Sequence, residues 1–141
     1  MNENPKINFT SSYTTNQIKF QNSDGTNIKT LVAATTDTRI YSIMGVCSDV
    51  TARPIKFYLS DGTINYLAYT VNIPANAGFL TNVSPVDLMY DANGVSLMFH
   101  SYDGNYNLYF TIPAGWSLKG GLTSTVSSPN HVIITISSES H

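Results

Sequence analysis

The sequence predicts an all-β chain: a two-sheet antiparallel sandwich, jelly-roll-like or immunoglobulin-like, with an extended N-terminal arm. Three observations carry this. Apolar residues recur at every second position in short runs, as strands with one buried face require. Turn residues such as Asp61-Gly62, Asp103-Gly104 and Pro113-Ala114-Gly115 separate those runs at regular intervals. No stretch carries the 3.6-residue period over the length of an ordinary helix.

Residues 1–25 read as the arm and 26–141 as the sandwich domain. The arm is polar, with the spaced pairs Ile7 and Phe9, then Ile18 and Phe20, which read as contacts to a partner or a neighbouring copy. After Asp24-Gly25, Asn27 to Ala33 reads as a strand. Arg39 to Ser48 reads as a central strand, because Ile40, Tyr41, Ile43, Met44, Val46 and Cys47 make it apolar on both sides.

The best-defined local feature is a hairpin around Asp61-Gly62, where a two-residue type I′ turn suits the Asp-Gly pair. Its first arm places Ile55, Phe57 and Leu59 on one face and Lys56 and Tyr58 on the other. Its second arm places Leu67, Tyr69, Val71 and Ile73 on the oily face and Tyr66, Ala68, Thr70 and Asn72 on the mixed one. Tyr58 and Tyr66 are therefore candidate partner contacts. Ser84-Pro85-Val86-Asp87 has the residue order of a helix start, so a short helical turn is expected through about Tyr90.

Beyond it, Asp91-Ala92-Asn93-Gly94 reads as a turn and Val95, Leu97 and Phe99 as a strand. Tyr106 to Ile112 alternates cleanly, Trp116 to Leu122 is a strand with a possible bulge at Gly120-Gly121, and His131 to Ser137 closes the series. Pro74 and Pro113 each follow an Ile at a strand end, where a residue without an N–H donor is tolerated.

Composition excludes several roles. Charged residues make up 11% of the chain, whereas Ser, Thr and Asn together supply roughly a third, so the surface is polar but nearly neutral. A net charge of -2 without a Lys/Arg cluster opposes nucleic-acid binding, which needs convergent cations on phosphate. The single cysteine, Cys47, sits in an apolar run and reads as a buried small hydrophobe. Neither a signal peptide nor a membrane span is visible.

Catalytic and metal-binding patterns are equally thin. His100, His131 and His141 are scattered without metal-ligand spacing, no Gly-x-Ser-x-Gly elbow occurs, and neither cofactor nor metal is expected. Asp91-x-Asn93 and Asp103-x-Asn105-x-Asn107 echo the start of a calcium loop but lack its acidic twelfth position, so Asx turns explain them better. What remains is nine Tyr, six Phe and Trp116 amid neutral polar residues. That is the vocabulary of surfaces that bind through shape and neutral hydrogen bonds.

Several motifs in order resemble a family. They are Ile28-Lys29-Thr30-Leu31-Val32, Thr51-Ala52-Arg53, Ile73-Pro74-Ala75-Asn76-Ala77-Gly78, Pro85-Val86-Asp87-Leu88, Asp91-Ala92-Asn93-Gly94 and Pro113-Ala114-Gly115-Trp116-Ser117-Leu118-Lys119. Together they are similar to the capsid auxiliary proteins of tailed bacteriophages, also called cement or decoration proteins. The resemblance spans about residues 26 to 136 and leaves the arm unmatched. It implies a non-enzymatic virion structural protein on the outside of the head that stabilises it. The partners implied are the major capsid protein, copies of itself, or both, without nucleic acid or membrane. The alternative from the aromatics is a phage tail, fibre or adsorption module that binds host glycan.

Overall fold

The computed structural model describes residues 12–90 and 101–140, and their regular structure is strand apart from one short 3₁₀ turn at Asn22–Asp24. The strands are β1 (Ser12–Gln21), β2 (Lys29–Ala33), β3 (Thr38–Cys47), β4 (Ile55–Ser60) and β5 (Asn65–Val71), followed by β6 (Val86–Asp87), β7 (Ser101–Tyr102), β8 (Leu108–Ile112), β9 (Ser117–Leu122) and β10 (His131–Ser140). One sheet runs β1-β10-β3-β8-β7, with β6 also paired to β3; the other runs β2-β9-β4-β5. All pairs are antiparallel.

This order resolves the two topologies left open by the sequence. Setting aside the two-residue strands β6 and β7, eight strands remain, and the first and last lie side by side in one sheet. The second strand and the second-last lie side by side in the other, as folding a long hairpin over on itself produces. That is a jelly roll.

The alternation seen in the sequence now has a physical address. Phe20, Ile40, Ile43, Val132, Ile134 and Ile136 from the first sheet meet Leu31, Ile55, Phe57, Val71 and Leu118 from the second in one core. Gly120 permits a close approach: a Cβ there would lie 2.9 Å from Leu31 Cδ1 and 3.2 Å from Ile55 Cδ1. The expected bulge at Gly120-Gly121 is absent, since β9 pairs with β4 in unbroken register, and the glycines serve close packing instead.

Five further expectations are corrected. The stretch Ser12–Gln21 is not an arm reaching a partner but an edge strand of the chain's own sheet, paired with β10 along its whole length. Phe20 therefore faces the chain's own core, fully buried, and is not available to a partner. The expected helical turn at 84–90 is instead the short strand β6 on β3, where Val86 opposes Gly45 and Asp87 opposes Met44.

The hairpin exists, but its loop has four residues, Asp61 to Ile64, rather than two. The Asp61 side chain accepts the Thr63 and Ile64 N–H groups at 2.8 Å, and Gly62 alone there takes the positive φ, at 98°. The register then slips: Phe57 opposes Tyr69 but Tyr58 opposes Leu67, leaving Ala68 as the extra residue of a bulge. That slip turns Leu67 outward, to 57% exposure, while Ala68 packs against the core. The turn at 91–94, the strand at 95–99, Ile7, Phe9, His100 and His141 lie outside the described residues.

Candidate functional site

The polar residues with chemical potential are engaged in holding the fold. Asp49 is fully buried and makes an ion pair with Arg53, whose Nε and Nη2 donate to Asp49 Oδ2 at 3.1 and 2.9 Å. The same oxygen accepts the Ser127 N–H at 2.8 Å and its hydroxyl at 2.9 Å, while Oδ1 accepts the Thr51 N–H at 3.1 Å. Burial alone would raise the Asp49 pKa, but donors from Ser127, Thr51 and Arg53 outweigh it and hold the carboxyl well below the usual aspartate range. Arg53 also reaches the Ser124 and Ser127 hydroxyls, so the network bolts the loop after β3 to the loop before β10. Every polar atom of the carboxylate is used, which describes a structural tie rather than a reactive acid.

Cys47 is buried as expected, and burial pushes its thiol pKa up, away from nucleophilic behaviour. His131 packs edge-on against Phe79 with ring centroids 5.5 Å apart. Asp103 is the Asx turn anticipated, accepting the Asn105 and Asn107 N–H groups at 2.8 and 2.9 Å. No group of three or more potential metal ligands occurs among the described residues.

The surface is more informative. At the β4–β5 end, Ile64 (50% exposed), Tyr66 (47%) and Leu67 stand in solvent. The Tyr66 ring stacks on Trp116 at 6.1 Å and 23°, so it is a braced aromatic surface. Tyr58 is half-buried on the same outer face as Leu67, directly opposite it. Sequence reasoning placed Tyr58 and Tyr66 on one outer face; the bulge, which has no marker in the residues, puts Leu67 there with Tyr58 and turns Tyr66 to the face of Leu59.

The edge of β1 is a second surface. At its C-terminal end, Lys29 Nζ donates to the Lys19 carbonyl at 2.7 Å and Asp24 Oδ2 accepts the Gln21 N–H at 2.8 Å; Lys29 and Asp24 themselves pair at 2.8 Å. Both backbone groups point away from β10. By the antiparallel alternation, Tyr13, Thr15 and Gln17 direct theirs the same way, and no such closure meets them among the described residues. Ile18 is half-buried beside the core rather than offered to a partner.

No protein-family model matches the chain, and no curated protein sequence does. Solved structures similar to it include infectious bursal disease virus Gt strain, 14% identical with a TM-score of 0.31 over all of this chain and 36% of that one. Infectious bursal virus derived T=1 particles give 16% identity and a TM-score of 0.32 over 100% and 35% of the two chains. The infectious bursal disease virus VP2 subviral particle gives 13% and 0.28 over 100% and 41%. The chain thus spans 35–41% of the length of those chains. Superpositions at this level carry no argument about function.

Proposed function

We propose that this chain is a non-enzymatic structural protein of a virion, an auxiliary capsid protein that cements or decorates the outside of a phage head. The observation that carries the reading is the outer face of the β4–β5 hairpin, where the bulge turns Leu67 into solvent directly opposite Tyr58, with Ile64 exposed in the adjoining loop. Clustered apolar side chains of this kind mark a contact surface rather than a bare one. The ordered motifs quoted above add the resemblance to cement proteins. The jelly roll is compatible with it as an analogy of fold, since viral capsid domains use this architecture among others.

The partners are the major capsid protein and neighbouring copies, contacted by the hairpin end and by residues 1–11, which precede the open part of the β1 edge and would reach a neighbour by strand addition. Many weak contacts on one lattice then add through effective concentration.

Quantitative mass spectrometry of purified particles tests this directly. The chain should be present at a stoichiometry comparable to the capsomers, and its loss should lower the temperature at which heads release DNA. Because the contact surfaces are nearly uncharged, occupancy should change little with added NaCl. Removing residues 1–11, which spares β1, should lower occupancy without unfolding the chain. A few copies per particle, confined to the tail, would overturn the reading.

A further inference from the structure

The outer face of the first sheet carries a cleft of about 380 Å³ that the virion reading does not use. Tyr13 from β1, Tyr41 from β3, Tyr90 beyond β6 and Leu108 from β8 form its apolar walls; Asp87, Asp103 and Asn107 supply its polar groups. It lies on the opposite sheet from Tyr58, which stands on the outer face of β4.

Much of the lining is fixed before any ligand arrives. The Tyr41 hydroxyl donates to Glu139 Oε2 at 3.1 Å, and its ring lies 5.6 Å from that of Tyr109. The Arg39 guanidinium rests 4.5 Å over the Tyr109 ring. Asp103 is locked by its turn, and Asn107 Nδ2 donates to its Oδ2 at 3.2 Å. Asp87 Oδ1 accepts the Met89 N–H at 3.0 Å. Tyr13, by contrast, is 76% exposed and stacks on no ring among the described residues.

Tyrosine rings offer flat apolar faces to the C–H side of a pyranose, while carboxylates and a carboxamide match its vicinal hydroxyls. Charge narrows the ligand class. Asp87, Asp103 and Glu139 outnumber Arg39 here, which opposes an anionic ligand. The volume falls in the range of small-molecule clefts and is roomier than a trimethylammonium group needs. We infer that this cleft binds a neutral glycan, one or two hexose units at a time.

Saturation-transfer NMR on the full chain tests it, with lactose, maltose, cellobiose and N-acetyllactosamine as probes and sialyllactose and choline as separate arms. At least one neutral disaccharide should receive saturation, with a Kd on the order of 1 mM. Tyr13→Ala should weaken that binding roughly tenfold, as loss of one aromatic platform does. Asp87→Asn should weaken it as well, and both variants should unfold at the wild-type temperature. Amide shifts in the labelled protein should move at Tyr41 and Asn107. Silence from every neutral sugar, a response to sialyllactose or choline alone, binding untouched by both substitutions, or shifts confined to another face would each overturn the inference.

Discussion

Removing the Asp49 carboxylate is the sharpest test of how the loops of this sandwich are held. Asp49→Ala deletes an acceptor that takes five donor contacts and leaves the nine-tenths-buried Arg53 without its counter-charge. Breaking a buried pair from one side costs about 3–5 kcal/mol, because the surviving charge stays desolvated. Against a total stability of about 5–15 kcal/mol, that lowers the unfolding midpoint by roughly 10–20 °C for a domain of this size.

The pH dependence has a definite sign. The folded pKa of Asp49 is depressed, so its contribution is complete above the unfolded aspartate value of about 4 and drains away as pH falls toward the folded value. Urea titrations at neutral and acid pH should therefore show wild type and variant converging as the solution is acidified. Pairing Asp49→Ala with Arg53→Met should cost less than the sum of the single changes. The exposed Lys56→Gln serves as a control and should shift the midpoint hardly at all. A loss for Asp49→Ala as small as that of the control, or a gap that widens in acid, would refute the assignment of this network as a structural tie.

Other expectations follow from the register and the core. Leu67→Asp should be tolerated within about 1 kcal/mol, whereas Val71→Asp, on the buried face of the same strand, should abolish soluble expression; comparing soluble yields checks the bulge. Tyr69 is buried with a hydroxyl that finds no hydrogen-bond partner among the described residues, so Tyr69→Phe should leave stability unchanged or raise it by up to about 1 kcal/mol in urea unfolding. Gly120→Val would drive new atoms into Leu31 and Ile55 and should cost about 1–3 kcal/mol or more in the same assay.

Strand existence was legible in the residues because burial imposes a two-residue period that the sequence must carry. Thr38–Cys47, Ile55–Ser60 and Leu108–Ile112 fall close to where alternation puts them, and β3 does lie in the interior of its sheet. Tyr58 and Tyr66 were assigned to one outer face, but Leu67 rather than Tyr66 shares that face with Tyr58. One extra residue opposite Phe57 and Tyr58 reverses every face beyond it, and Ala68 is too small to announce a bulge.

Phe20 was misread for a different reason. Its surroundings in sequence are polar, and only pairing with Val132, more than a hundred residues away, makes it part of the core. The Asp49–Arg53 tie was equally hidden: the spacing is visible, but Ser124 and Ser127, which complete it, come from the far end of the chain. The Tyr13 cleft draws on four strands or their flanks and has no local motif at all.

The position of β10 sets the timetable of folding. It lies between β1 and β3 yet is the last of the described strands to be made, so during synthesis both neighbours wait with open edges for a partner not yet out of the ribosome. Maturation of the first sheet must therefore wait until residues 131–140 have left the exit tunnel. A nascent chain stalled before His131 has its hydrophobic strips formed but unclosed, the condition in which intermolecular pairing competes best.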